Sequence, residues 1–330
     1  MKKYPTLIYE HYNSILDDDK HETNTKSACG GVSAKEFLRV DTECLGDFFV
    51  EVAKPTSSYV TYVNGIAKES AGKQVPMQHV SAMVKFYKGK NRFPCNEEIC
   101  SRLSNAFGIP TVYNRIFKDN DRMCNVSIDF VPYCDKRYDT LQNGYSACTR
   151  RKNIPEVIGI EQWHSFFMSS GLTNPYTKKL VPLRECSKLF RQFVPMYLFR
   201  RHIVQDKDFD INNICVIYDP ETKTYSLGPN YDMERTFTAY FDNSYKRHYD
   251  DLCSDLKFIY ICEPSLAEDF VSKVQRLKAT KAINIHMFDS EMSIMQRYKK
   301  YKHVKDKMNL MLKANMDVKK EYGIDNTFAM

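Results

Sequence analysis

Acids occupy every second position in "QDKDFDINN": Asp206, Asp208 and Asp210, followed by the amides Asn212 and Asn213. Another acid, Asp232, follows residues 214–227, which read as two short strands around the turn "DPETK". Closing that hairpin brings its ends together. With Tyr218 facing Thr224, Asn213 lies opposite Pro229, and Asp232 comes shortly after, so Asp208, Asn213 and Asp232 can converge on one small volume. Carboxylate and amide oxygens from two chain segments are the hard donors that Mg²⁺ takes, usually through one or two protein groups plus substrate phosphates. Two blander readings compete. Asp and Asn commonly cap turns. The alternation also matches the start of an EF-hand calcium loop, but the positions that need Gly and Glu there hold Ile211 and Ile217, which excludes it.

Upstream, "TKSACGGVSAKEFLRVDTECLGDFFVEVAKP" reads as a glycine-containing loop, a strand, a connection and a second strand ending in Lys54. Gly30 and Gly31 allow the backbone a close approach to an anion. A lysine at the end of such a strand can reach the α- and β-phosphates of a nucleotide. The segment "PCNEEICSRLSNAFGIP" reads as a helix, with Pro94 before its start, Gly108 and Pro110 at its end, and Ile99, Leu103, Ala106 and Phe107 on one face. Glu97 or Glu98 in its first turn can hold Lys54. In order, these are the parts of a protein kinase: loop, strand lysine, helix glutamate, linker strand, catalytic Asp and Asn, metal-binding Asp.

The chain resembles the HipA-like serine/threonine kinases, in particular the compact CtkA-like members, from about Thr25 to the C-terminal helices. The pieces that carry the resemblance are "DFDINN", "LGPNYDME" and "NEEICSRLSNAFGIP". It implies an α+β, bilobal protein-kinase-like fold, with a small α/β N-lobe over residues 1–131 and a larger, mainly helical C-lobe over residues 132–330. It implies ATP and Mg²⁺ as cofactors and transfer of the γ-phosphoryl to a serine or threonine of a protein. Asp208 would be the base, Asn213 and Asp232 would hold Mg²⁺, and Lys54, oriented by Glu97, would bind the phosphates. Ile128, Asp129, Phe130 and Val131 would form the linker whose backbone pairs with adenine. The glycine-containing loop would carry an autophosphorylated serine, Ser27 or Ser33.

The sequence departs from the family's pattern at two places. Asp210 stands where His is usual, and Asn212 where Lys is usual before the metal-binding Asn. The cation at the moving phosphoryl must then come from elsewhere, with Lys207 and Lys35 as candidates. Asp206 is the rival base.

The elements that must position these groups divide the chain. Its first part is mixed: "EFLRV", "FFVEVAKP" and "CNVSIDFV" read as strands around the helix above. Beyond Tyr133 helical periodicity dominates. Leu189, Phe193, Tyr197 and His202 or Ile203 form one stripe, with Pro195 forcing a kink or boundary. Near the C-terminus Ile294, Tyr298, Tyr301, Met308 and Leu312 recur at helical spacing.

Of 330 residues, 43% are hydrophobic and 27% charged, enough for a packed core. No apolar run approaches the ~18 residues of a membrane helix. Eleven scattered cysteines without a CxxC pair point to reduced thiols rather than disulfides or zinc. The N-terminus turns acidic where a signal peptide would be apolar, so a cytoplasmic location is expected, with signal-less delivery to another cell left open. The net charge of +7 suits an acidic partner. Its concentration in Arg297, Lys299, Lys300, Lys302, Lys305 and Lys307 is expected to be the solvated face of a helix, and direct nucleic-acid binding is not expected. The rival functions are a nucleotide-binding pseudokinase and a toxin–antitoxin component with an antitoxin or repressor partner.

Overall fold

Ala82, Val84 and Phe86 leave one face and Met83 and Lys85 the other in "HVSAMVKF", the period-two geometry of a strand, and this strand forms the centre of the N-terminal sheet. The computed structural model describes residues 6, 9–11, 34–41, 79–86, 95–112, 114–120, 122–128, 139–140, 159–169, 172, 174, 177, 179–209, 213–214, 216–219, 223–237, 245–290 and 292–323. Strands β1 (Tyr9–His11), β2 (Ala34–Asp41), β3 (His79–Phe86), β4 (Asn114–Asp119) and β5 (Arg122–Ile128) form an antiparallel sheet in the order β1-β2-β3-β5-β4. One face is apolar and closed: Leu38, Val40, Ala82, Val84, Phe117, Cys124 and Val126 are fully buried. The expected strand "EFLRV" lies in β2 and the expected "CNVSIDFV" begins within β5, whereas "FFVEVAKP" is outside the described residues.

Helix α1 (Cys95–Ala106) packs on the other face of the sheet. It ends as its sequence dictates. Gly108 takes φ +63, and the Ile109 N–H donates back to Ser104 O at 2.9 Å, which satisfies carbonyls of the last turn. Ile99, Leu103 and Phe107 are buried, as their spacing requires.

The C-terminal part is helical: α2 (Ile160–Ser169), α3 (Leu183–Leu198), α4 (Tyr245–Cys262), α5 (Pro264–Ala279) and α6 (Ile294–Glu321). With the antiparallel sheet held apart from these helices, the fold is α+β. Pro195 lies inside α3, which gives way after Leu198 to a wider π-helical turn, Phe199–Ile203. Proline has no N–H for the helical ladder, so a disturbance here follows from the sequence. A small sheet joins β6 (Asp139–Thr140), β7 (Val216–Asp219) and β8 (Thr224–Leu227).

One apolar cluster runs from α1 into the helices, where the Phe107 ring lies 5.2 Å from Phe199 and 5.8 Å from Phe270. Among the described residues, no helix is long and apolar enough to cross a membrane. The described cysteines are free, four of them buried.

Helix α6 corrects part of the sequence reading. Met308 is buried as expected, but Ile294 is 82% and Tyr298 58% exposed. Of the basic run, Lys300 is half-buried: it donates to Asn96 Oδ1 of α1 and stands 4.5 Å from the Phe237 ring. Burial brings its pKa down to about 8, and does the same for Lys307. Long basic side chains lie along apolar surface where their stems can be covered, and periodicity alone does not show which lysines do so.

Candidate active site

Lys85 of β3 faces Asn125 of β5 in register, so both side chains leave the sheet on the same side, towards the first turn of α1. There Lys85 Nζ pairs with Glu97 Oε1 and lies 2.6 Å from Asp232 Oδ1 and 3.9 Å from Glu234 Oε2. Lys85 and Glu97 are each 1% exposed at the side chain. Asn125 Nδ2 donates to Glu97 Oε2 and to Asn114 Oδ1, and Ser127 Oγ donates to Asn114 Oδ1 as well. Asn114 Nδ2 in turn donates to Ser101 Oγ of α1 at 3.0 Å. A buried polar network thus fixes the helix carboxylate against the sheet.

Burial raises the pKa of Glu97 to about 7, against the pull of the Lys85 ammonium, with Asp232 and Glu234 adding to the rise. The Lys85 pKa is raised despite burial, because Glu97 and Asp232 outweigh the desolvation. Carboxylate oxygens of Glu97, Asp232 and Glu234 come within 4.8 Å of one another. Three acids around one ammonium leave an excess of negative charge, and their hard oxygens fit a divalent cation such as Mg²⁺.

Arg200, in the π-helical turn after α3, holds the other half of the site. Its fully buried guanidinium donates to Asp206 Oδ2, to Asn213 O at 3.4 Å, to Asn230 Oδ1 at 3.1 Å, to Tyr231 O at 3.0 Å and to Asp232 O at 3.2 Å. Both ends of the β7–β8 hairpin are therefore gathered on one side chain. Asp206 Oδ1 accepts the Asp208 N–H at 3.1 Å, which shapes the loop, and Asn213 Nδ2 donates to Asp208 O. An amide whose nitrogen is committed in this way can offer its oxygen to a hard cation. The Asp208 carboxylate is 42% exposed and accepts from Arg235 Nη1 at 3.1 Å. Asp232 itself sits at φ +52, a strained backbone for a non-glycine residue and one found often at functional sites.

The hairpin register differs from the expected one by a residue. Tyr218 faces Tyr225 and Asp219 faces Thr224. Continued downwards, this sets Asn213 level with Asn230 rather than Pro229. Arg200 bridges these two levels, so the ends still converge.

No family model matches the chain, and no curated protein does. The solved structures it is similar to include CtkA and HipA. The likeness to the proinflammatory kinase CtkA of Helicobacter pylori has 10% identity and a TM-score of 0.47, covering 72% of this chain and 92% of that one. The likeness to HipA of a Shewanella oneidensis toxin–antitoxin system, solved with HipB and its operator DNA, has 12% identity and a TM-score of 0.44. It covers 74% of this chain and 62% of the HipA chain.

Of the residues singled out in the sequence, Glu97, Asp208, Asn213 and Asp232 meet in this site. Lys207 is exposed and joins it through its backbone, its N–H donating to Arg235 O at 3.3 Å. Gly30, Gly31, Ser27, Ser33, Lys54, Asp129, Phe130, Val131, Asp210 and Asn212 lie outside the described residues, and Ile128 ends β5. The expected partner of Glu97 is Lys54; the lysine found on Glu97 is Lys85. Asp206, the rival base, is buried and engaged with Arg200. Lys85, Arg200, Asn125 and Arg235 were missed. For Lys85 the signal was present: an alternating strand interrupted by one lysine, directly before the helix that carries Glu97.

Proposed function

We propose that the chain is an ATP- and Mg²⁺-dependent phosphotransferase with a bilobal protein-kinase-like fold, its lobes over residues 1–131 and 132–330, that moves the γ-phosphoryl to a serine or threonine hydroxyl of a protein. The observation that carries this reading is Lys85 held between Glu97 and Asp232, beside the loop of Asp208 and Asn213. On this reading Lys85 binds the α- and β-phosphates and Glu97 keeps its ammonium in place. Asp232 and Asn213 hold Mg²⁺, which when bound neutralises charge on the phosphates. Asp208, the exposed carboxylate of the loop, accepts the proton of the acceptor hydroxyl. Phosphoryl transfer leaves little covalent work to the protein, so positioning and charge carry the catalysis.

The loop of Gly30 and Gly31 would cover the phosphates, and the segment of Ile128, Asp129, Phe130 and Val131 would receive adenine. Ser27 and Ser33 are the proposed autophosphorylation sites, and an antitoxin or repressor is the proposed partner. The test is transfer of labelled γ-phosphate from Mg·ATP to the protein itself and to casein, alongside thermal shift with Mg·ATP. Transfer that disappears in Asp208→Ala supports the reading. Nucleotide binding without transfer in the wild type makes the chain a pseudokinase instead, and the absence of both removes the reading.

A further inference from the structure

The exposed carboxylate of Asp208 is covered by a guanidinium. Arg235 Nη1 donates to Asp208 Oδ1 at 3.1 Å, and the Arg235 side chain is 61% exposed. Its backbone is held on both sides, since Asn96 Nδ2 donates to Glu234 O at 2.8 Å and Thr236 O at 3.0 Å, and Arg235 O accepts from Lys207. The main chain is thus anchored while the side chain reaches solvent. Two other cations of the site are placed differently. Lys85 is buried between Glu97 and Asp232, and Arg200 is buried on Asp206 and three backbone carbonyls. Neither can follow charge as it moves.

We propose that Arg235 is a catalytic residue: it covers Asp208 until an acceptor hydroxyl arrives, then places its guanidinium on the phosphoryl group in transfer. This rests on the phosphotransferase reading. A base must come within ~2.6–3.2 Å of the hydroxyl it serves, so a guanidinium on that carboxylate is one side-chain turn from the reacting phosphorus. In the step, the acceptor oxygen forms its bond to the γ-phosphorus as the bond from phosphorus to the β–γ bridging oxygen breaks. That oxygen departs with the electron pair on ADP, and the hydroxyl proton passes to Asp208. The hydroxyl that docks on Asp208 competes with Arg235 for the carboxylate, and the guanidinium turns to the equatorial oxygens before the bonds change. A planar fork suits two of those oxygens at once.

The experiment compares full-length wild type with Arg235→Ala, Arg235→Lys and Asp208→Ala, using labelled ATP with casein as acceptor, Kd for Mg·ATP and thermal melting. Arg235→Ala is expected to lower kcat by roughly 10²–10³-fold, with Mg·ATP affinity and melting close to wild type. Millimolar guanidinium chloride should restore part of the rate to Arg235→Ala and none to Asp208→Ala. Arg235→Lys should fall between. An Arg235→Ala protein as active as wild type, or more active, overturns the proposal, as does a loss that guanidinium leaves unchanged. A wild type that transfers nothing removes the phosphotransferase reading itself and this proposal with it.

Discussion

Lys85 Nζ lies 2.6 Å from Asp232 Oδ1, joining the centre of the N-terminal sheet to the segment after the β7–β8 hairpin across 147 residues of chain. Glu97 completes the pair from a third element. An ammonium buried with two carboxylates is an unstable arrangement to leave half made, and each member has a measurable consequence.

Lys85→Met should weaken Mg·ATP binding and reduce transfer by about 10²-fold or more, since the phosphates lose their buried cation. Lys54→Ala serves as the comparison and should have a smaller effect. Isothermal titration with Mg·ATP decides; equal affinity in wild type and Lys85→Met would remove Lys85 from the nucleotide site.

Asp208→Ala and Asp206→Ala should fail in different ways. Asp208 is exposed, so its loss should stop transfer and spare both folding and nucleotide binding. Asp206 is the buried partner of Arg200, and removing it strands a guanidinium in the core at a cost of roughly 3–5 kcal/mol. Urea unfolding should place the large loss on Asp206→Ala, with transfer per folded molecule much less affected than in Asp208→Ala.

Asp232→Asn should make nucleotide affinity insensitive to Mg²⁺, because the charged ligand is replaced by a neutral one. Titrating nucleotide with and without Mg²⁺ tests this. A variant that keeps the full metal dependence would move the metal site to other residues.

Asn125 donates to Glu97 Oε2, so on the phosphotransferase reading it acts on nucleotide through that carboxylate. Asn125→Leu should weaken Mg·ATP binding several-fold in the wild-type background and have little further effect in Glu97→Gln, a coupling that a double-mutant cycle reads directly. Additive losses would mean that Asn125 contributes only to packing.

Acid should destabilise the fold through its histidines. Burial lowers the pKa of His248 to about 2 and of His303 to about 3, from the ordinary 6.5, with neighbouring positive charge adding to both. The unfolded chain then binds more protons than the native one between those values. Stability contributed above about pH 6.5 is therefore lost progressively as pH falls towards 2–3. Chemical denaturation across pH should show this slope, and the double variant His248→Gln, His303→Gln should flatten it.

Local chemistry was legible before folding. Helix α1 could be read with its stop at Gly108, as could the hairpin around "DPETK", the boundary near Pro195 and the group of Asp208, Asn213, Asp232 and Glu97. Caps, turn residues and periodicity act over a few neighbours, so a linear sequence contains them complete. What the tertiary structure decided was partnership. The sequence reading offered Lys54 to Glu97, and only strand order and register set Lys85 opposite Asn125 and onto Glu97. The one-residue difference in the β7–β8 register, the docking of Lys300 on Asn96, and the gathering of both hairpin ends on Arg200 arose in the same way. Each depends on which distant backbone a side chain meets after the core closes, and that choice is made by packing and by the cost of leaving a buried charge unpaired.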